Sequence, residues 1–357
     1  MSQPAHPLVV RFGRLGDAVL LQPMLHKLQQ RYGQPCDLLA IGAWPAQLYA
    51  GQPEVAEVLA LQAPHRPLLL SRERWHAIGW LHERREAPVY VCEPQPRALL
   101  RIQRMLRLAG VPAAHRVHLA DLPLREREHW VDHLLRFADS TPAAFQGRCE
   151  ALAVDLGAAP QLKVDAAARI DCERWLRARG LHGHPLVLLQ PANKRTLRWN
   201  GVRAIEDDDK AWPVQHWAAL AWTILETLPS ARVLLCGCPR EADYLEDIRA
   251  IAASESVVSV ADELSLTRLK ALLACAHSMV SVDTGPAHLA AALGCPLVVM
   301  FGGTAPAHWA PRAAPGGAVT VLGGASCDSR VDALTGEQVA DAWRSLPLRH
   351  ARWRAVA

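Results

Sequence analysis

At roughly 100–200 residues per domain, a chain of 357 residues suits two domains. A content of 50% hydrophobic and 21% charged residues excludes a disordered chain. Runs of about eighteen apolar residues are absent, which excludes a membrane-spanning helix, and a net charge of +4 gives no support to nucleic-acid binding. The charge is unevenly spread: residues 1–150 hold 18 Lys and Arg against 14 Asp and Glu, and the remainder is balanced. Within 66–107 stand nine Arg and four Glu. Such an excess suits an anionic partner; an ordinary Arg-rich surface would look the same. Met1–Pro7 lacks a basic stretch followed by an apolar one, so the expected location is the cytoplasm. Nine irregularly spaced cysteines fit reduced thiols there. The close pair Cys236-Gly237-Cys238 lacks the partners a zinc site needs.

In chain order, Leu8-Val9-Val10-Arg11-Phe12 reads as a buried strand and Gly13–Asp17 as a turn. A helix follows from Ala18 to about Tyr32, with Val19, Leu20, Leu25 and Leu28 at helical spacing. Pro23 falls inside it, which predicts a bend near its start. Leu38–Ile41, Val58–Leu61, Val89–Val91 and Val117–Leu119 are predicted strands; Ala98–Ala109 and Glu128–Ala138 are predicted helices. The alternation indicates βαβ units around a parallel sheet. It weakens over 140–168, rich in Ala, Pro and Gly, then restarts. Leu186–Leu189, Val233–Cys236, Met279–Val282 and Leu297–Phe301 are strands in this second half. Val214–Leu228, Glu241–Ala253, Leu266–Ala276 and Pro286–Leu293 are its helices. The expected division is 1–150, a linker over 151–170, and 171–357.

Four segments could carry chemistry. Gly13-x-x-Gly16-Asp17 lies where a strand hands over to a helix, the edge at which doubly wound sheets bind ligands. Asp17 suits a reactive carboxylate or an ordinary helix cap. The pattern is neither G-x-G-x-x-G nor a P-loop. Asp283-Thr284-Gly285-Pro286-Ala287-His288 opens another helix after a strand; its free N–H groups would attract a phosphate, and His288 could reach it. Packing and capping would explain the same residues. Lys210, in a loop before Pro213, can neutralise a phosphate or be a solvated surface residue. The acidic run Glu206-Asp207-Asp208-Asp209 beside it contains an Asp-x-Asp, but a run of like charges in a loop is expected to be solvated. Glu241, after Gly237, could accept from ribose hydroxyls or sit at a helix start.

Taken together these segments resemble glycosyltransferase family 9, the lipopolysaccharide heptosyltransferases. The matching residues are Arg14-Leu15-Gly16-Asp17, Lys210-x-Trp212-Pro213 with His216-Trp217, Gly237…Glu241, Asp283–Ala290, and Phe301-Gly302-Gly303-Thr304 with Trp309-x-Pro311. The resemblance spans about residues 8–311. It implies a GT-B fold, two Rossmann-like α/β domains facing each other across a cleft, with acceptor-binding and nucleotide-sugar-binding halves. It implies an inverting transfer of heptose from ADP-heptose to an inner-core sugar on lipid A, with no metal and no further cofactor. It makes Asp17 the general base. Lys210, Glu241, Asp283, Thr284, Gly285 and His288 become donor residues, and Asn193 is added as a substitute for a hydroxyl that relatives carry in Pro191-Ala192-Asn193-Lys194. Gly16, Arg66, Arg72, Arg74 and Arg97 are assigned to the acceptor; Arg66, Arg72 and Arg74 are read as loop residues. Arg97, Arg101 and Arg104 share one helical face that an anionic inner-membrane surface would attract, or that is simply solvated. The changed 191–194 segment and a long stretch over 195–208 leave open another nucleotide sugar or acceptor. An epimerase and a non-catalytic nucleotide-sugar binder are the other readings; a carboxylate at Asp17 argues against both.

Overall fold

The computed structural model describes residues 6–62, 71–149, 152–153, 155, 157–198 and 201–347. Two compact units meet at Pro160/Gln161.

Unit 1 is a five-stranded parallel sheet in the order β3-β2-β1-β4-β5. Its elements are β1 (Leu8–Val10), α1 (Leu15–Tyr32), β2 (Cys36–Ile41), α2 (Pro45–Tyr49), β3 (Val55–Leu61), α3 (Arg72–Glu83), β4 (Val89–Val91), α4 (Pro96–Leu108), β5 (Arg116–His118) and α5 (Trp130–Ala138). The three residues of β1 are fully buried because helices cover both faces, which is why they read as a continuous apolar run. On one face Leu8, Val10, Val89 and Val91 pack against Ala77, Leu81, Ile102 and Met105 of α3 and α4. On the other, α1 packs on α5, fastened by Lys27 Nζ at 2.6 Å from Asp139. Pro23 is buried within α1.

Unit 2 is a six-stranded parallel sheet in the order β10-β9-β6-β11-β12-β13. After α6 (Ala166–Ala178) come β6 (Leu186–Gln190), the short antiparallel pair β7 (Leu197–Arg198) and β8 (Gly201–Val202), α7 (Val214–Thr227), β9 (Arg232–Leu235) and α8 (Ala242–Ala252). Then follow β10 (Val257–Ser259), α9 (Leu266–Cys275), β11 (Ser278–Val282), α10 (Gly285–Ala292), β12 (Leu297–Phe301), α11 (Pro306–Trp309), β13 (Val319–Gly323) and α12 (Gly336–Arg344). Strands β6, β11 and β12 are buried from end to end. Trp212 and Trp217 sit edge-to-face, 5.0 Å between centroids, in the core on one face. The indole N–H of Trp212 donates to Leu334 O at 2.9 Å, so its polar edge is satisfied.

Each unit is thus Rossmann-like. Two differences from the sequence reading matter. Arg72 and Arg74 are not in a loop: they form the first turn of α3, capped by Ser71 Oγ, which accepts from Arg74 N at 3.3 Å. Charged residues on the outer face hide the buried stripe Ala77, Ile78 and Leu81 that makes this segment a helix. The acidic run is not uniformly solvated either, because Asp208 is completely buried.

Candidate active site

In a doubly wound sheet, side chains that follow the central strands at their carboxyl ends are free to meet a ligand where the strand order reverses. In unit 1 the reversal lies between β1 and β4. Asp17 follows β1, as the third residue of α1. Its Oδ1 accepts from Arg11 Nη2 at 2.9 Å and its Oδ2 from the Arg14 backbone N–H at 2.8 Å. Both readings of Asp17 therefore have a physical basis here: one oxygen serves the helix start, and the side chain stays 24% exposed against 8% for Arg11. Each oxygen keeps acceptor capacity for one more donor. Gly13 lies against this pair; a Cβ there would fall 2.6 Å from Asp17 Cβ and 2.8 Å from Arg11 Nε, so only glycine leaves the carboxylate in place. Gly16 is the residue before Asp17 in the first turn.

Two residues that sequence reasoning did not single out complete this edge. Arg11 donates through Nη1 to Cys92 O at 2.8 Å and lies 5.6 Å from the centroid of the Trp130 ring. Glu93 follows β4, is 1% exposed, and accepts from Phe12 N at 3.1 Å and Gln95 N at 2.9 Å. Its Oε2 is 3.9 Å from Arg11 Nη1. The available signal is a charged residue within two positions of the end of each of two apolar runs, Arg11 after Leu8–Val10 and Glu93 after Val89–Val91.

In unit 2 the reversal lies between β6 and β11. Asn193 follows β6, and Asp283 to His288 follow β11. Lys210 Nζ is paired with the Asp283 carboxylate and is 3.4 Å from Asp283 O. His288 Nε2 stands 3.9 Å from the other carboxylate oxygen. Thr284 is the residue before α10, with its hydroxyl 3.1 Å from Ser281 Oγ, and Gly285 begins the helix. The structure so brings Lys210, Asp283, Thr284, Gly285 and His288 to one place. Asn193 is turned instead into the protein: its amide N–H donates to Asp208 Oδ2 at 2.9 Å and its Oδ1 accepts from Arg195 N at 2.7 Å. Glu241 accepts from Cys238 N at 2.8 Å, the helix-start role.

The acidic run has a structural task that its sequence concealed. Arg195 pairs with Asp208 at 3.2 Å and with Asp209. Asp209 Oδ2 also accepts from Gly303 N at 2.8 Å, and its carbonyl from Val331 N at 2.8 Å. Burial pushes the Asp209 carboxyl upward, but the Gly303 N–H and the Arg195 guanidinium outweigh it and hold it below its ordinary range. Gly302 permits this approach, since a Cβ there would lie 2.4 Å from Asp209 O. The loop carrying Lys210 is therefore anchored on both sides of the lysine's own pairing. Among the described residues, no group of three or more His, Cys, Asp or Glu could hold a metal.

The remaining acceptor candidates cluster less tightly. Arg66 lies outside the described residues. Arg72 is exposed and Arg74 buried, beside Arg101 and Arg104 of α4; burial and those two guanidinia lower the Arg74 pKa. Arg97 and Arg104 are exposed on α4 with Leu100 and Leu108.

With this geometry in hand, comparison with known proteins gives a consistent result. Residues 202–334 match glycosyltransferase family 9 (heptosyltransferase). The chain is 25% identical over 316 residues to lipopolysaccharide heptosyltransferase 2 of Escherichia coli K12, covering 84% of this chain and 83% of that one. The fold superposes on E. coli ADP-heptose lps heptosyltransferase II with a TM-score of 0.71 at 20% identity, covering 95% of this chain and 98% of that one. It superposes on E. coli heptosyltransferase WaaC with ADP at a TM-score of 0.66 and 20% identity, covering 95% and 99%. These two likenesses give the architecture: two Rossmann-like domains of the GT-B kind.

Proposed function

We propose that this chain, like the family 9 glycosyltransferases and the lipopolysaccharide heptosyltransferase it resembles, transfers a heptose from ADP-heptose to an inner-core sugar of lipopolysaccharide, with inversion and without a metal. The observation that carries the reading is Asp17, a carboxylate that is the more exposed member of its ion pair at the reversal point of unit 1. A sugar hydroxyl is a weak nucleophile, and its attack on the anomeric carbon is assisted when a carboxylate takes the proton as the bond forms. Displacement from the face opposite the departing ADP inverts that carbon. The diphosphate leaves with added negative charge. Lys210, released from Asp283 toward the phosphates, and the N–H groups at the start of α10 offset it. A lysine and a helix start supply the charge that a divalent ion supplies elsewhere. Thr284 and His288 flank the same turn and complete the donor set.

The donor assignment is supported by the likeness to E. coli ADP-heptose lps heptosyltransferase II and to heptosyltransferase WaaC with ADP; the acceptor class is supported by the lipopolysaccharide relative. No helix among the described residues is long and apolar enough to cross a membrane. Contact with an inner-membrane surface would run through α4, whose outer face alternates Arg97, Leu100, Arg104 and Leu108 with no acidic residue in the helix. Each basic side chain near an anionic surface contributes about 1 kcal/mol.

The test is ADP release from ADP-heptose with a deacylated inner-core acceptor in the presence of EDTA. Turnover that survives the chelator, and a product of inverted configuration by NMR, are expected. Strict dependence on an added divalent ion would overturn the metal-free reading. Turnover by Asp17→Ala at the normal rate would overturn the base.

A further inference from the structure

Glu93 belongs to neither the donor set nor the acceptor set above, yet it is buried to 1% exposure two residues beyond the end of β4. A carboxylate is withdrawn from water only when it is compensated, and Glu93 is compensated on two sides. Its Oε1 accepts from Gln95 N and its Oε2 from Phe12 N, which ties the loop after β4 to the loop after β1. The same Oε2 lies 3.9 Å from Arg11 Nη1. Arg11 in turn holds Asp17. The charges therefore stand in a row, carboxylate–guanidinium–carboxylate, with exposure rising from 1% through 8% to 24%.

We propose that Glu93 is the positioning residue of the transfer reaction: it fixes Arg11 and balances its charge, so that Asp17 is oriented by the guanidinium without being neutralised by it. The inference rests on the reading of Asp17 as the base. A lone Arg–Asp pair is a closed ion pair, in which the cation disfavours protonation of the carboxylate and makes it a poor base. A second carboxylate on the far side of the guanidinium restores a net negative charge to the group. The other titratable groups facing Arg11 do not share this task. The Cys92 thiol is pushed up by burial to about 12, against the pull of Arg11, and burial also raises the Tyr49 hydroxyl. Both stay neutral over the working range. Trp130 offers Arg11 a ring face and no charge.

The pH dependence of kcat tests this, because loss of packing alone does not move a titration limb. Glu93→Gln removes one negative charge, so the acidic limb should move toward lower pH by about one unit and the plateau should fall. Arg11→Gln removes the positive charge, and its limb should move the opposite way, toward higher pH, with kcat lowered by a misdirected carboxylate. ADP affinity, measured by calorimetry, should be unchanged in both. The amide at 93 can accept only one of the two backbone N–H groups, so a lower melting temperature is expected; if that variant does not fold, Glu93→Asp, which keeps the charge but draws it back from Arg11, takes its place and should move the limb the same way by a smaller amount. Limbs that stay at the wild-type pH in the folded variants would overturn the positioning role. An active Asp17→Asn would instead overturn the base assignment beneath it, so the two failures are distinct.

Discussion

The two sheet edges carry the same local construction with the charges exchanged. In each unit a helix begins directly after a central parallel strand, and an ion pair stands at the turn. In unit 1 the outer member is the carboxylate: Asp17 is 24% exposed and its Arg11 partner 8%. In unit 2 the outer member is the ammonium: Lys210 is 16% exposed and Asp283 9%. One scaffold thus turns a carboxylate outward in the first half and an ammonium in the second; on the proposed reading the first takes a proton and the second meets the donor's phosphates. The inner member of each pair sets the position of the outer one.

The comparison can be broken at several depths. The largest effect is expected at the outer carboxylate of unit 1, Asp17. Asp17→Asn should lower kcat by about 10²–10⁴-fold, the usual range for a general base, with ADP affinity by calorimetry unchanged; parity with wild type would show that the first edge is only a helix cap. Next comes the support beneath the second edge. Asp208 is fully buried and paired with Arg195 and Asn193. Asp208→Ala strips a charge from that pair and should destabilise unit 2 by about 3 kcal/mol in denaturant unfolding; a change within 0.5 kcal/mol would mean the network is decorative. Lys210→Ala should weaken ADP binding by about tenfold, with kcat/KM falling at least as far. An unaltered dissociation constant would refute the charge exchange on which the comparison stands.

The smallest effect is a titration. Asp209 has its carboxyl held low in the folded chain, so its stabilising contribution is complete above the ordinary carboxylate value and is lost as pH falls through the folded one. Stability should therefore decline below about pH 4, and Asp209→Asn should flatten that part of the curve. An identical acid profile in the variant would remove Asp209 from the anchoring of the Lys210 loop.

The parallel strands were readable because burial on both faces makes them apolar throughout: Val89–Val91 and Leu297–Phe301 match residue for residue. The turn at Asp283 and the helix from Val214 were readable for the same kind of reason, an apolar stripe bounded by a turn or a proline. What escaped was decided by contacts distant in sequence. α3 carries two Arg and a Glu in its first turn, so its buried stripe is faint. Glu93 acquires meaning only when β4 lies beside β1. The run 206–209 looks like four equivalent acids, and only the approach of Arg195 and Gly303 separates Asp208 and Asp209 from their neighbours. The Asn193 amide, assigned to the donor from sequence, meets Asp208, a contact fifteen residues away in the chain. The abundance of tryptophan also finds a physical outlet: Trp80, Trp130, Trp175, Trp212, Trp217 and Trp343 are buried core residues, where large rings fill volume few other side chains can.

The clasp that joins Asn193 and Arg195 to Asp208 and Asp209 closes the base of the excursion holding β7 and β8. Asp208 also accepts from the Lys210 backbone N–H at 3.2 Å, so one buried carboxylate ties the foot of the arm to the loop that presents the ammonium. Replacing the β7–β8 tip while keeping the four clasping side chains should therefore leave ADP affinity unchanged, whereas cutting the clasp should loosen the loop together with the arm.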